Sequence, residues 1–192
     1  MQVVLDDYVH GAAFATELVN TSPKVWVVAG DRLTDPCSLQ SFLNDNHVNT
    51  GDLPEKRDLE QVRSLREKLR EVLDAPSAAV LVDLTHDLLS AVPHHIELVE
   101  LDNDEWRWLA ITDLAGAGSL AEELAIFVGY ALLGTVRTLG FERFRSCASP
   151  TCNGVFVDVS RGGRRRYCMP ELCGNRINVA NHRQRKQAHG TG

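Results

Sequence analysis

Four cysteines in the last fifty residues, Cys147, Cys152, Cys168 and Cys173, form two pairs with four residues inside each pair and fifteen between them. A divalent ion held by thiolates needs its ligands to converge tetrahedrally, and two close-spaced pairs on neighbouring loops achieve this at little loop-closure cost. The implied chemistry is a structural Zn2+ site. Two disulfides are the competing use of the same residues. The chain opens MQVVLDDYVH, without a cationic region or an apolar signal core, so a cytoplasmic, reducing setting is expected, which favours the metal. The gap within each pair exceeds the two residues of the commonest zinc ribbons. Cys37 stands alone and reads as structural. His182 lies nine residues beyond Cys173, roughly 13 Å along a helix at about 1.5 Å per residue, too far to share that ion. His189 sits in a Gly-ending tail.

Charge divides the chain at about the same place as the cysteines do. Residues 143–192 carry ten Arg/Lys against Asp158 and Glu171, a net +8, which leaves −14 for the residues before them. A basic module on an acidic body suits a chain that meets a polyanion with one part only, and nucleic acid is the obvious polyanion. A solvated basic tail, or one resting on its own acidic body, is the plainer alternative. No apolar run approaches the roughly 18 residues needed to span a bilayer, so no membrane role is expected.

Between the cysteine pairs, Val155, Phe156, Val157 and Val159 predict a strand, residues 161–163 a turn and residues 164–167 a returning strand. Pro170 and Glu171 suit the first turn of a helix running to about Gln187, from which Cys173 would present its sulfur. This layout resembles a treble clef. Zinc with four thiolates is a net −2 centre, so cations are needed nearby, and Arg164, Arg165 and Arg166 are at hand. The helix would carry Asn175, Arg176, Arg183, Arg185 and Lys186, donors of the kind that meet phosphates and base edges. These five, with the three arginines, are the candidate nucleic-acid contacts; a structural helix with a solvated cationic face is the alternative.

The elements that must position this module come first in the chain. Residues 11–20 predict a short helix and residues 24–29 (KVWVVA) a strand closed by a Gly-Asp turn. Ser38 can cap a short helix. A longer one, with Pro54 in its first turn, keeps Leu59, Val62, Leu65, Leu69, Val72 and Leu73 at helical spacing. Pro76 and Ser77 open another, ended by Pro93. Residues 96–101 and 106–111 then flank Asp-Asn-Asp-Glu as a hairpin whose Trp106 and Trp108, two apart on one face, are expected in the core. Ser119 caps the last long helix, where Gly129 and Gly134 would allow close packing, and Gly140 ends the body. The expected fold class is α+β. Residues 1–140 form a mostly helical body with a small antiparallel sheet, and residues 141–192 a treble-clef-like zinc-binding hairpin and helix.

The run Cys173-Gly174-Asn175-Arg176, with the Cys147/Cys152 pair and Arg-Arg-Tyr-Cys at 165–168, resembles the CGNR zinc-finger family. Its members join this finger to an N-terminal domain called ABATE, associated with stress-induced transcription regulation, and residues 18–21 (LVNT) resemble the Asn-Thr motif near that domain's start. The resemblance implies metal ligation by Cys147, Cys152, Cys168 and Cys173. This chain departs from the family in carrying Met169 and Pro170 after the third cysteine, where a small or polar residue is common.

The leading expectation is a cytoplasmic, dimeric, DNA-binding transcription regulator without enzymatic activity. Its body would receive a small-molecule or protein signal, or dimerise. The rival is a zinc-stabilised protein- or RNA-interaction module, masked by the acidic body. A third class, acid/base catalysis by Asp83, His86, Asp87, His94 and His95, lacks any accompanying nucleophile motif or phosphate loop. A redox variant, in which oxidation of the thiolates releases the metal, uses the same four cysteines.

Overall fold

Apolar residues at helical spacing build the centre of the molecule, which a computed structural model describes over residues 3–4, 8–50, 52–101, 105–112 and 118–174. Helix α1 (Tyr8–Val19) buries Phe14, Ala15 and Leu18. Helix α2 (Pro36–Asp45) buries Leu39 and Leu43. In α3 (Lys56–Leu73) all six predicted apolar positions are buried. After α4 (Ala78–Ser90) and a hairpin of β2 (His94–Leu101) and β3 (Glu105–Thr112), α5 (Leu120–Leu139) lies against α1, α3 and α4. Each fully buried Leu or Phe side chain contributes about 1.5–3 kcal/mol of transfer free energy. The predicted close approaches are present: a Cβ on Gly129 would meet Leu89 at 2.7 Å and one on Gly134 would meet Tyr8 at 2.9 Å.

The caps explain where these helices begin. Ser119 accepts from the Glu122 amide at 3.3 Å while the Glu122 carboxylate accepts from the Ser119 amide at 2.7 Å, a reciprocal pair that starts α5 as expected. Ser77 caps α4 through the Val80 amide. At α2 the predicted cap is displaced: Asp35, not Ser38, occupies the capping position, and Ser38 reciprocates from the third helical residue. Helix α3 starts after Glu55, just beyond Pro54.

Three further expectations for the body fail. Residues 24–29 form consecutive turns instead of a strand, with the Val25 and Trp26 amides both donating to the Ser22 carbonyl. The β-branched residues find no partner strand there, and Val27 stays 76% exposed. Trp106 and Trp108 are not core residues but 56% and 49% exposed. At the base of the hairpin Ala110 joins the helical core and His94 reaches Tyr130 of α5, while Leu109 and Ala110 pair with the short strand β1 (Val3–Val4). Cys37, read as structural, is exposed on α2.

A second, two-stranded sheet follows α5, formed by β4 (Phe144–Ser146) and β5 (Val155–Val157) in antiparallel register, Arg145 opposite Phe156. The strand at 155–157 is therefore real, but its partner is β4, ahead of the first cysteine; residues 164–167 pair as no strand. Alternation along β5 splits its side chains between two clusters. Val155 and Val157 join the core of the helical body, while Phe156 packs with Cys168 and Cys173.

Candidate metal centre

Three local structures deliver the four sulfurs. The first pair sits on a knuckle after β4: the Cys147 amide donates to the Gly154 carbonyl at 2.8 Å and the Cys152 amide to the Ser149 carbonyl at 3.0 Å. Cys168 ends the irregular stretch after β5, tied to the knuckle by a 2.9 Å bond from the Ala148 amide to the Arg166 carbonyl. Cys173 comes from a single wide helical turn, Pro170–Gly174, whose start at Pro170 agrees with expectation.

All four are free thiols, and their sulfurs lie within 4.8 Å of one another. The Cys152–Cys168 and Cys168–Cys173 sulfur separations are 3.5 and 3.9 Å, far beyond the roughly 2.05 Å of a disulfide. They fit the edge of about 3.8 Å that a tetrahedron acquires when each sulfur stands about 2.3 Å from a central zinc. Among the described residues this is the one group of His, Cys, Asp or Glu side chains with metal-holding geometry.

Electrostatics argue the same way. Burial, reinforced by the neighbouring Cys152 and Cys147 sulfurs, pushes the Cys173 thiol up to about 11. Burial and the same crowding push Cys168 up as well. Burial also acts upward on Cys147, but amide donors from Cys168 and Ser149 outweigh it and lower that thiol. Four thiolates this close repel one another, and a divalent cation at their centre removes the penalty. The pocket is tight on the Gly154 side, where the amide donates to the Cys152 sulfur at 3.3 Å. A Cβ there would collide with the Cys168 sulfur and approach the Asn20 amide oxygen to 2.8 Å.

Asn20 is the residue that sequence reasoning undervalued. Its side-chain nitrogen donates to the Val155 carbonyl at 2.7 Å and to the Thr16 carbonyl at 2.7 Å, and its oxygen accepts from the Val155 amide at 3.2 Å. The Thr16 hydroxyl accepts from the Val157 amide at 2.9 Å. Thr16 of α1 and Asn20 just beyond its end thus hydrogen-bond β5 as a neighbouring strand would. Next to it, the Thr21 hydroxyl accepts from Arg66, whose guanidinium is 4% exposed and makes a bidentate pair with Asp31, both bonds 2.7 Å. The Asn-Thr motif signals this joint only once the fold has brought residues 20 and 155 together.

These arrangements account for the finger and the body both, and two comparisons with known families agree with them. A model for the ABATE domain, described as "Putative stress-induced transcription regulator", matches residues 12–135. The chain belongs to the ABATE family. The model of the CGNR zinc finger matches residues 143–186, so the ABATE domain is followed by a CGNR finger that contains all four cysteines. No match was found among the curated proteins.

The arginines of the CGNR finger fall into two groups. Arg143 donates to the Asp158 and Ser160 carbonyls, and Arg145 to the Glu142 and Gly163 carbonyls. Arg165 lies over the Phe156 ring at 5.0 Å and donates to the Tyr167 and Cys168 carbonyls, so its guanidinium braces the metal loop. Asp158, fully buried, ties this scaffold together. Burial would raise its carboxyl, but Ser160, the Arg165 amide and Arg145 hold it below the usual carboxylate range. Arg161, Arg164 and Arg166 are exposed, Arg166 lying 5.8 Å from the Tyr167 ring centre. Asn175, Arg176, Arg183, Arg185, Lys186, His182 and His189 lie outside the described residues.

The remaining candidates do not assemble. Asp83, His86 and Asp87 are exposed on α4, whereas His94 bonds the Val92 carbonyl and the Tyr130 hydroxyl from β2. Among the described residues no helix is long and apolar enough to cross a membrane.

Proposed function

We propose that the chain is a zinc-dependent, DNA-binding transcription regulator of the cytoplasm. A Cys147, Cys152, Cys168, Cys173 zinc centre orders the basic segment that meets DNA. Residues 1–140 act as the body and residues 141–192 as the DNA-binding unit, and the working form is a homodimer. The observation that carries this reading is the convergence of four sulfurs at the point where the basic segment begins, with exposed Arg164 and Arg166 beside Cys168. Zinc supplies the fixed centre; the protein's part is to aim Arg164, Arg166 and the following Asn175, Arg176, Arg183, Arg185 and Lys186 at phosphate. Arg165 is assigned to bracing, since its donors already serve two carbonyls.

Binding of the zinc-loaded chain to random duplex DNA across a salt series tests this. The log of the affinity should fall with log salt at a slope of about −0.9 per phosphate contact, and Arg164→Ala with Arg166→Ala should make the slope shallower by about two contacts. No duplex binding at low salt would overturn the DNA role. A protein-interaction reading is favoured by a different observation: Ile96, Leu98, Trp106 and Trp108 share one exposed face of the β2–β3 hairpin.

A further inference from the structure

The metal centre is closed on one side and open on the other. Cys168 and Cys173 are 1% exposed, whereas Cys147 and Cys152 are partly exposed on a knuckle whose Ala148, Pro150, Thr151 and Asn153 are exposed as well. The two accessible cysteines differ in their hydrogen bonds. Cys147 accepts from the Cys168 and Ser149 amides, while Cys152 accepts from the Gly154 amide at 3.3 Å. Each such bond draws negative charge off a thiolate and weakens it as a nucleophile, which leaves Cys152 the more reactive of the two. Its sulfur stands 3.5 Å from that of Cys168, so an attackable sulfur has a shielded one directly behind it.

We propose that the centre is a redox switch in which a hydroperoxide joins Cys152 to Cys168 as a disulfide and the zinc is expelled. The Cys152 thiolate attacks one peroxide oxygen: a sulfur–oxygen bond forms, the oxygen–oxygen bond breaks, and the other oxygen takes a proton and leaves as an alcohol or water. The Cys168 thiolate then attacks the Cys152 sulfur, forming the disulfide and releasing hydroxide, which a second proton converts to water. Two electrons have passed from the sulfurs to the peroxide. Cys147 and Cys173 are then the only ligands left, half of the four that a structural zinc takes. The fold decides what comes loose. Thr16 and Asn20 hold β5 to the body without the metal, and the new disulfide keeps the knuckle tied to Cys168. The turn Pro170–Gly174 loses the ion that fixed it through Cys173, and the candidate contacts from Asn175 onward follow that turn in the chain. The consequence for DNA rests on the regulator reading, whereas expulsion of the metal rests only on zinc at the four cysteines.

Hydrogen peroxide added to the full zinc-loaded chain tests this, with a chromogenic chelator reporting free zinc and mass mapping of the oxidised peptides. Peroxide in roughly stoichiometric amount should release the zinc and leave Cys152–Cys168 as the main disulfide, and a dithiol with added zinc should restore the starting state. Cys37→Ser should behave as the parent does. Cys152→His offers zinc an imidazole in place of the accessible thiolate, and its bound zinc should be released about tenfold more slowly. Zinc retained under excess peroxide, a main disulfide joining any other pair, or release from Cys152→His as fast as from the parent would each overturn the proposal. If that variant holds no zinc, the disulfide mapped in the parent decides alone. Duplex affinity on the same samples keeps the two readings apart: it should fall on oxidation and recover on reduction, and peroxide-driven metal release from a chain that binds no duplex beforehand would break only the regulator reading.

Discussion

The ABATE body and the CGNR finger are stabilised by different means, and β5 is where the difference becomes visible. The body closes by apolar burial, with Leu18, Leu69, Leu124 and Leu132 fully enclosed. Among the described residues, the finger's own cluster holds Phe156 and two buried cysteines, with Cys147, Cys152, Tyr167 and Met169 packed on it, a small apolar surface beside that of the body. On the proposed reading, the metal supplies what burial does not. Because Val155 and Val157 face the body core and Phe156 faces the sulfurs, one three-residue strand belongs to both regimes. What this teaches is that the finger, whose folding the proposed reading makes metal-dependent, is anchored to the body by side-chain and backbone bonds, chiefly through Asn20 and Thr16.

The strongest way to break the comparison is to remove a ligand. Cys173→Ser should abolish metal binding, a loss on the order of 10 kcal/mol of folding free energy for a zinc module. The helical body should still melt cooperatively, which metal analysis and circular dichroism of one sample would check. If the body melted with the finger, the division between the two regimes would be wrong.

Asn20→Ala comes next. It strips partners from the buried Val155 amide and carbonyl, at about 1–3 kcal/mol for each group left unsatisfied, and urea unfolding would read the loss. The metal should remain bound, though less tightly, because β5 loses its brace.

The two faces of β5 sharpen the contrast. Val157→Ala should cost about 1–3 kcal/mol in the body transition and leave metal affinity nearly unchanged. Phe156→Ala should do the reverse, weakening metal retention against a chelator while sparing the body. Equal effects of the two substitutions on both readouts would erase the distinction.

How much of this was legible beforehand depends on how far apart the interacting residues lie. The cysteine spacing and the apolar repeat of α3 are local patterns, and both carry through to the structure. Ser119 was readable as a cap, and Ser77 as a helix start, because a cap bonds within three residues of itself. Trp106 and Trp108 were misplaced because strand alternation says which residues share a face, not whether that face meets anything. Residues 24–29 have strand composition but no neighbour to pair with. The β4–β5 pairing was missed because residues 164–167 look as strand-like as residues 144–146. The Asn20–Val155 bond spans 135 positions in the chain, and no local signal reveals it.

A smaller effect tests the scaffold beneath the metal loop. Asp158 is held below the usual carboxylate range, so its contribution to stability is full above the unfolded value of about 3.9 and is lost as pH falls through the lower folded value. Asp158→Asn should cost about 1–3 kcal/mol at pH 7, from lost charge-assisted bonds. The gap between variant and parent should shrink below about pH 4; a gap that is constant with pH would show that the carboxylate charge does not matter.

The central claim is that metal at Cys147, Cys152, Cys168 and Cys173 makes the basic segment competent for DNA, and a zinc titration of the metal-free full chain in the presence of labelled duplex at low salt tests it most directly. The account predicts one zinc per chain and duplex binding that rises in step with zinc occupancy, then falls steeply on adding salt. Duplex binding of equal strength without zinc, or full zinc occupancy without duplex binding, would contradict it.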